Sequence, residues 1–315
     1  MKLIVQIPCL NEAQDIARVI SEIPRAIDGI DRVEVLIIDD GSTDGTAAIA
    51  REAGADHVVV NKRPLGLAQS FQKGITACLG LGADIIVNTD GDGQYRGGSI
   101  PDLVAPILEA RADIVVGDRK PFKNKEFSLQ KRILQRLGSR VVKTLARVDV
   151  GDAVSGFRAY SREAAMRTTV FTRFSYTTET LIAAGNSGLQ VTSVPVETAT
   201  VERPSRLFKS MHSFIFRQMV TILRSFVMYR PLRAFMLLGF VMMGLGLVPI
   251  IRFLILYAMG DGAGHIQSLV IGGALLVCGY ISFLVALLSD VVATNRRLEE
   301  EIITILRRME NDRNG

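Results

Sequence analysis

The chain contains no tryptophan, and of its 315 residues only three are cysteine and three are histidine. Cys9, Cys78 and Cys278 are far apart, odd in number and without C-x-x-C spacing. They build neither a disulfide framework nor a zinc knuckle, so a reducing compartment is expected for the soluble part. His57, His212 and His265 lie in unrelated segments, which argues against a histidine-based catalytic constellation. Aromatic residues make up 6% of the chain while hydrophobic residues make up 48%, and mean hydropathy is +0.28. An apolar surplus that is aliphatic points to membrane spans. The start of the chain is not expected to be a signal peptide, because Leu3–Leu10 is short, broken by Gln6 and Pro8, and followed by Asn11 and Glu12.

One stretch lacks acidic residues. Arg203, Arg206, Lys209, Arg217, Arg224, Arg230 and Arg233 follow one another with no Asp or Glu between them. Setting those seven aside leaves 30 basic residues against 32 acidic ones. A basic band on a near-neutral body implies a local anionic partner and no general nucleic-acid binding.

Residues 1–120 alternate short apolar runs (Leu3–Ile7, Val33–Ile38, His57–Val60, Ile85–Asn88, Ile114–Val116) with helical patterns such as Glu12–Ile27 and Gly66–Leu81. Strand, crossover helix, strand predicts an α/β domain with a mostly parallel sheet, whose ligands bind at the carboxyl ends of the strands. A further helix is predicted over Ser128–Arg147 and a last strand over Val191–Val196. The expected catalytic domain covers residues 1–206.

Phe208, Met211, Ile215, Met219, Ile222 and Phe226 lie on one helical face with Lys209, Arg217 and Arg224 on another. Residues 207–231 thus read as an amphipathic helix in the membrane interface. Ala234–Ile251 and Leu269–Leu288 carry no charge over 18 and 20 residues, enough to cross about 30 Å of hydrocarbon. A two-helix transmembrane hairpin is expected over 232–289, with helices near 234–258 and 267–289. The Arg-rich flanks and a connector without Lys or Arg place the catalytic domain and both termini in the cytoplasm. Small residues (Gly239, Gly244, Gly246, Gly272, Gly273) would allow the hairpin to pack against copies of itself as a homo-oligomer. A helical stripe closes the chain over 290–315.

Two carboxylate motifs end predicted strands. After Val35–Ile38 come Asp39, Asp40 and Gly41, where a carboxylate suits a ribose or base; Ser42, Thr43 and Asp44 are candidate caps for the next helix. After Ile85–Asn88 come Asp90, Gly91, Asp92, Gly93 and Gln94. In an extended segment Asp90 and Asp92 point the same way. With the Gln94 carbonyl they form a hard oxygen site for Mg²⁺ or Mn²⁺, and the glycines allow a diphosphate close to the backbone. An EF-hand loop starting at Asp90 fails, because its sixth and twelfth positions are Tyr95 and Pro101. A dinucleotide fingerprint fails at Arg96, and no phosphate-binding loop of the G-x-x-x-x-G-K-[ST] type occurs.

Pro8-Cys9-Leu10-Asn11-Glu12, Asp39-Asp40-Gly41-Ser42, Asp90-Gly91-Asp92-Gly93-Gln94 and Ser155-Gly156-Phe157-Arg158 occur in that order. The chain thereby resembles the family-2 glycosyltransferases of GT-A fold. With its C-terminal hairpin it is similar to the polyprenyl-phosphate glycosyltransferases of the dolichol-phosphate mannose synthase type. The resemblance implies a GT-A nucleotide-diphospho-sugar transferase domain, a nucleotide-sugar donor (UDP or GDP), a polyprenyl phosphate acceptor and a Mg²⁺ or Mn²⁺ cofactor. It implies that Pro8, Leu10, Glu12 and Asp40 surround the base and ribose, although Leu10 replaces the aromatic often found there. Asp90 and Gly91 would contact the donor, and Asp90, Asp92 and Gln94 would hold the metal. Arg119 would lie near the phosphates, Asp152 would face the reacting centre, and Arg203, Arg206 and Lys209 would close over donor and acceptor phosphates. Asp152, Asp92 and Arg119 are the expected catalytic residues, and the expected reaction is one inverting displacement. A lipid phosphate is already an anionic nucleophile and needs little general base. A processive polysaccharide synthase would carry a Q-x-x-R-W motif, which a chain without Trp cannot have. A non-catalytic, membrane-anchored nucleotide-sugar binding module is the non-enzyme alternative, and the intact Asp90, Asp92 and Gln94 argue against it; a metal-dependent phosphatase is a weaker third class.

Overall fold

A computed structural model describes residues 1–119, 143, 148, 150–170, 176–199, 220, 223–224, 226–227, 230–260 and 265–314. They form two compact units: Met1–Ile222 with Glu300–Gly315, and Leu223–Glu299. The expected helix over Ser128–Arg147, the basic residues Arg203, Arg206 and Lys209, and most of the amphipathic stretch 207–231 lie outside the described residues.

The first unit is built on a seven-stranded sheet: β1 (Lys2–Cys9), β2 (Arg32–Asp39), β3 (His57–Val60), β4 (Ile85–Asn88), β5 (Ile114–Asp118), β6 (Arg158–Ser161) and β7 (Val191–Pro195). Their order is β3-β2-β1-β4-β6-β5-β7. β1, β2, β3 and β4 run parallel, as do β5 and β7; β6 lies antiparallel between β4 and β5. The central strands are buried along nearly their whole length. That explains why they read as unbroken apolar runs and not as alternating ones.

Helices cover both faces. On one, α1 (Ile16–Ser21), α2 (Thr46–Glu52) and α4 (Ile100–Leu108) pack through Ile16, Val19, Ala50, Ile100 and Leu103 onto Val5, Ile7, Val35 and Val87. On the other, α3 (Leu67–Gly80), α5 (Arg162–Arg167) and α6 (Tyr176–Asn186) bring Phe71, Ile75, Ala164 and Tyr176 against Ile4, Leu36, Ile38 and Ile86. Phe71 stacks on Tyr176 with centroids 4.0 Å apart. Truncating an aromatic buried in this way costs about 3–5 kcal/mol.

α1 is shorter than the periodicity over Glu12–Ile27 predicts. Asn11 adopts a left-handed φ of 57°, and the carbonyl of Glu12 accepts from Asp15 and Ile16 in a tight turn. The chain needs this turn to bring Asn11 and Glu12 onto the next motif. Downstream, Pro24 restricts Ile23 and keeps the helix from continuing.

At the chain's end, residues of α8 (Ile266–Asn314) return to the first unit. Arg307 Nη1 donates to the carbonyls of Met166 (2.7 Å) and Thr168 (3.0 Å). A cation there caps the carboxyl end of α5 and favours its dipole. Arg308 grips both oxygens of Glu163 at 2.5 and 2.6 Å. The C-terminal stripe is thus the continuation of the helix that begins at Ile266; its contacts with α5 run through Arg307 and Arg308, while Leu298, Ile302, Ile305 and Met309 are exposed.

In the second unit, α7 (Pro231–Ala258) and α8 are each long and apolar enough to cross a membrane. They approach through glycines. A Cβ on Gly246 would sit 2.9 Å from the Gly272 carbonyl oxygen, and one on Gly239 would sit 3.0 Å from that of Gly279. Gly272 and Gly279 face the reciprocal contacts at 2.7 and 3.0 Å, whereas Gly244 and Gly273 face open space. Close backbone approach at small residues is the packing mode expected where lipid removes any hydrophobic drive between helices. Gly239, Gly246 and Gly272 are therefore spent inside the hairpin.

Candidate active site

The motifs follow the ends of parallel strands, and the sheet brings those ends together. β1, β2, β4 and β5 finish at Cys9, Asp39, Asn88 and Asp118. Because β6 runs the opposite way, its first residue, Arg158, pairs with Asn88 and Val116 at that same edge. The Ser155–Phe157 segment therefore arrives among the carboxylates. The strand order reverses between β1 and β4, the switch point at which open α/β sheets bind ligands.

The first two motifs are stitched together. Asn11 N–H donates to Ser42 Oγ at 2.9 Å, and Thr43 N–H donates to Asn11 Oδ1 at 2.9 Å. Glu12 N–H reaches Thr46 Oγ1 (2.9 Å) and Ala13 N–H reaches Asp44 Oδ2 (3.1 Å). Of the three expected caps, only Asp44 touches the start of α2, through Thr46 N–H at 3.1 Å; Ser42 and Thr43 serve the inter-motif seam. Leu10 is exposed at this rim, while Pro8 is buried and Glu12 half-buried.

Asp40 is buried and its carboxylate is well occupied. It accepts from Leu65 N–H and Gly66 N–H at 2.8 Å each, and from Asn61 Nδ2 at 2.9 Å. It ties β2 to the turn that starts α3.

The Asp90–Gln94 segment leaves the sheet at Asn88 and turns, contrary to the extended course expected for it. Gly93 has a φ of +70°, which a side chain would strain. Asp92 Oδ1 accepts from Gln94 N–H at 3.0 Å, and the backbone carbonyl of Gln94 accepts from Ala199 N–H at 2.9 Å. Gly91 packs against β1: a Cβ there would lie 3.2 Å from Cys9 Cβ and 3.5 Å from Glu12 Cγ. The guanidinium of Arg18 lies over Gly93 and would have to move aside for a side chain there.

Asp90 is half-buried, and no hydrogen bond to its carboxylate is made among the described residues. Its pKa is pushed up to about 7, first by burial and then by the Asp92 charge, with Arg119 opposing the shift and Glu12 adding to it. A carboxylate in that position gains from a cation. No group of three or more His, Cys, Asp or Glu side chains gathers as a metal cage among the described residues. Asp90 and Asp92 thus offer two hard carboxylates, the ligand type that Mg²⁺-type ions use together with waters and phosphates.

Arg119 and Asp152 meet at the same edge. Arg119 Nε donates to Asp152 Oδ2 at 2.5 Å and Nη2 to Oδ1 at 3.1 Å; the side chains are 14% and 1% exposed. The planar fork fixes the guanidinium. Arg158 is fully buried and holds the Ser155 and Ala153 carbonyls at 2.9 and 3.0 Å, so its role is to shape the loop. Burial pushes the Cys9 and Cys78 thiols well above their usual range, which leaves neither a usable nucleophile.

Sequence reasoning missed Tyr95, Tyr176 and Asn88, which surround Gly156 beside Asp90. Asn88 was within reach as a polar residue closing an apolar strand; Tyr176 belongs to no motif.

These features define a GT-A fold with two carboxylates, Asp90 and Asp92, at the switch-point edge of its sheet. Residues 4–168 match glycosyl transferase family 2, and the chain belongs to that family. It is 34% identical over 193 residues to glycosyltransferase AglJ of Haloferax volcanii, covering 60% of each chain. It is 28% identical over 169 residues to the polyprenol monophosphomannose synthase of Mycolicibacterium smegmatis, covering 51% of this chain and 62% of that one. The match therefore spans less than two thirds of either relative. The fold is similar to glucosyl-3-phosphoglycerate synthase from Mycobacterium tuberculosis, solved with Mn²⁺, UDP and phosphoglyceric acid (TM-score 0.53, 24% identity, 70% of this chain and 78% of that one).

Proposed function

We propose that the chain transfers a hexose, with inversion, from a UDP- or GDP-sugar to a polyprenyl phosphate at the cytoplasmic face of a membrane. The observation that carries this reading is the half-buried Asp90 carboxylate, without a hydrogen-bond donor among the described residues and beside Asp92, at the β1/β4 switch point of a chain with two helices long enough to span a bilayer. Relatives named as polyprenol monophosphomannose synthase and undecaprenyl-phosphate mannosyltransferase support the lipid acceptor.

In this reading Pro8, Leu10 and Glu12 line the nucleoside pocket. Asp40 holds one wall of it by fixing the Leu65–Gly66 turn. A divalent cation held by Asp90, Asp92 and Gln94 would supply positive charge to the departing diphosphate. Asp152 orients Arg119, and Arg119 presents its remaining N–H groups to phosphate oxygens. Arg203, Arg206 and Lys209 serve the donor and lipid phosphates at the membrane surface. The acceptor phosphate is the nucleophile, so alignment and charge stabilisation supply the catalysis. Both termini are cytoplasmic, as the arginine-rich flanks predict.

The test is a panel of radiolabelled nucleotide sugars incubated with purified protein, Mg²⁺ or Mn²⁺ and polyprenyl phosphate. The expected result is one donor whose label moves into organic solvent as a base-stable glycolipid. Hydrolysis of the donor alone, or transfer to a soluble acceptor alone, would overturn the assignment.

A further inference from the structure

Asp90 owes its lack of hydrogen bonds among the described residues to the groups behind it. Gly156 N–H donates to Tyr95 Oη at 3.3 Å, and the Gly156 carbonyl accepts from Asn88 Nδ2 at 2.8 Å. Asn88 Nδ2 also donates to Tyr176 Oη at 2.9 Å, and Asn88 Oδ1 accepts from Gln6 Nε2 at 2.9 Å. Tyr95 Oη faces Ser155 Oγ at 3.4 Å. Both rings are clamped by stacking, Tyr176 on Phe71 and Tyr95 on Phe157 at 5.0 Å. Gln6 and Asn88 are fully buried, so every amide atom of Asn88 is paired where an unpaired one would be costly.

The open side of Gly156 faces the carboxylate. A Cβ at that position would lie 3.1 and 3.3 Å from the two Asp90 oxygens and 2.7 Å from Tyr176 Oη. The tyrosine hydroxyl and the carboxylate flank one glycine, yet the hydroxyl's hydrogen bonds run to Asn88 and the Gly156 carbonyl. We propose that Gly156, pinned by Tyr95, Asn88 and Tyr176, is a positioning residue that keeps both Asp90 oxygens uncrowded and undonated for a divalent cation. None of the four belongs to the carboxylate pair itself; they act through Asp90 as outer-shell partners do. The inference rests on the reading of Asp90 as a metal ligand.

The experiment measures Mn²⁺ binding to the full-length protein in detergent by electron paramagnetic resonance, alongside Tm, for wild type, Gly156→Ala, Gly156→Ala/Tyr176→Phe and Asp90→Asn. Gly156→Ala should weaken Mn²⁺ binding by about tenfold or more and lower Tm. Removing the hydroxyl relieves the 2.7 Å clash but leaves the methyl against Asp90. Because Tyr176→Phe also removes the hydroxyl that accepts from buried Asn88 Nδ2, the double variant is not expected to regain the full Tm, and it should not regain Mn²⁺ affinity. If Gly156→Ala binds Mn²⁺ like wild type, or the double variant recovers Mn²⁺ affinity, the glycine is only a packing residue and the inference is overturned. If Asp90→Asn binds Mn²⁺ as well as wild type, the ligand reading itself falls and this inference with it.

Discussion

Arg119 and Asp152, thirty-three positions apart, form a forked ion pair with Nε–Oδ2 at 2.5 Å and Nη2–Oδ1 at 3.1 Å. Asp152 is nearly inaccessible and Arg119 only slightly exposed. A carboxylate already committed to both oxygens is a poor base. In the proposed reaction the pair acts through its cation. Arg119→Ala should lower kcat/KM by about 10- to 100-fold, and Arg119→Lys should recover little, because an ammonium cannot reproduce the fork. Asp152→Ala in the Arg119→Ala background should cost almost nothing further. Steady-state kinetics of the four-protein cycle decide this: additive losses would mean that Asp152 has its own role in the reaction.

The amino-terminal edge of the sheet holds a pH-sensitive contact remote from the site. Glu34 is 2% exposed and contacts Lys2 Nζ (2.8 Å), Arg32 Nε (2.7 Å) and His57 Nε2 (2.9 Å). Burial alone would raise its pKa, but hydrogen bonds from Lys2 and His57, with the charges of Lys2 and Arg32, hold it below the usual carboxylate range. A lowered folded-state pKa gives stability that is present at neutral pH and lost as pH falls through that pKa. Glu34→Gln should lower stability by about 1–3 kcal/mol at neutral pH and flatten the acid side of the Tm–pH curve. Tm measured from about pH 7 down to about pH 3 checks both.

The hairpin glycines divide into two groups. Gly246→Leu and Gly272→Leu place side chains on a facing carbonyl less than 3 Å away, and overpacking of this kind costs about 1–3 kcal/mol. Gly244→Leu and Gly273→Leu enter open space and should leave Tm in detergent unchanged. Equal losses from both pairs would argue that the outward glycines meet another chain.

The carboxyl end of α5 depends on the last turns of α8. Arg307→Ala removes two N–H donors from the Met166 and Thr168 carbonyls, and Arg308→Ala leaves Glu163 paired with Arg167 alone among the described residues. Hydrogen exchange across residues 162–168 should accelerate several-fold in the double variant while exchange in β1 and β2 stays unchanged. Unaltered exchange at 162–168 would show the contact to be inconsequential.

Much of the sheet was legible because strands covered on both faces are continuous apolar runs: β1 to β5 and β7 lie where Leu3–Ile7, Val33–Ile38 and their counterparts place them. β6 was not. Arg158–Ser161 is four residues with a buried arginine and a serine, and neither hydrophobic period nor length marks it. Its antiparallel insertion still determines the site, because it delivers Gly156 to Asp90. The order of the carboxylate motifs was visible, but their partners were not. Asp40 reads as a free ligand in the sequence, and only the fold brings Leu65 and Gly66 to it. Likewise, a fork between Arg119 and Asp152 requires β5 and the loop before β6 to share one edge, which no local pattern encodes.

In the proposed reaction the Asp90–Asp92 pair drives sugar transfer onto a lipid phosphate. The most direct measurement compares wild type with Asp92→Ala in one assay, following label from the preferred nucleotide sugar into organic-extractable glycolipid with polyprenyl phosphate and Mn²⁺. Asp92→Ala should lose about 100-fold or more in kcat/KM, with wild-type activity abolished by chelator and restored by added Mn²⁺ or Mg²⁺. Lipid glycosylation that proceeds unchanged in Asp92→Ala, or unchanged in chelator, would contradict it.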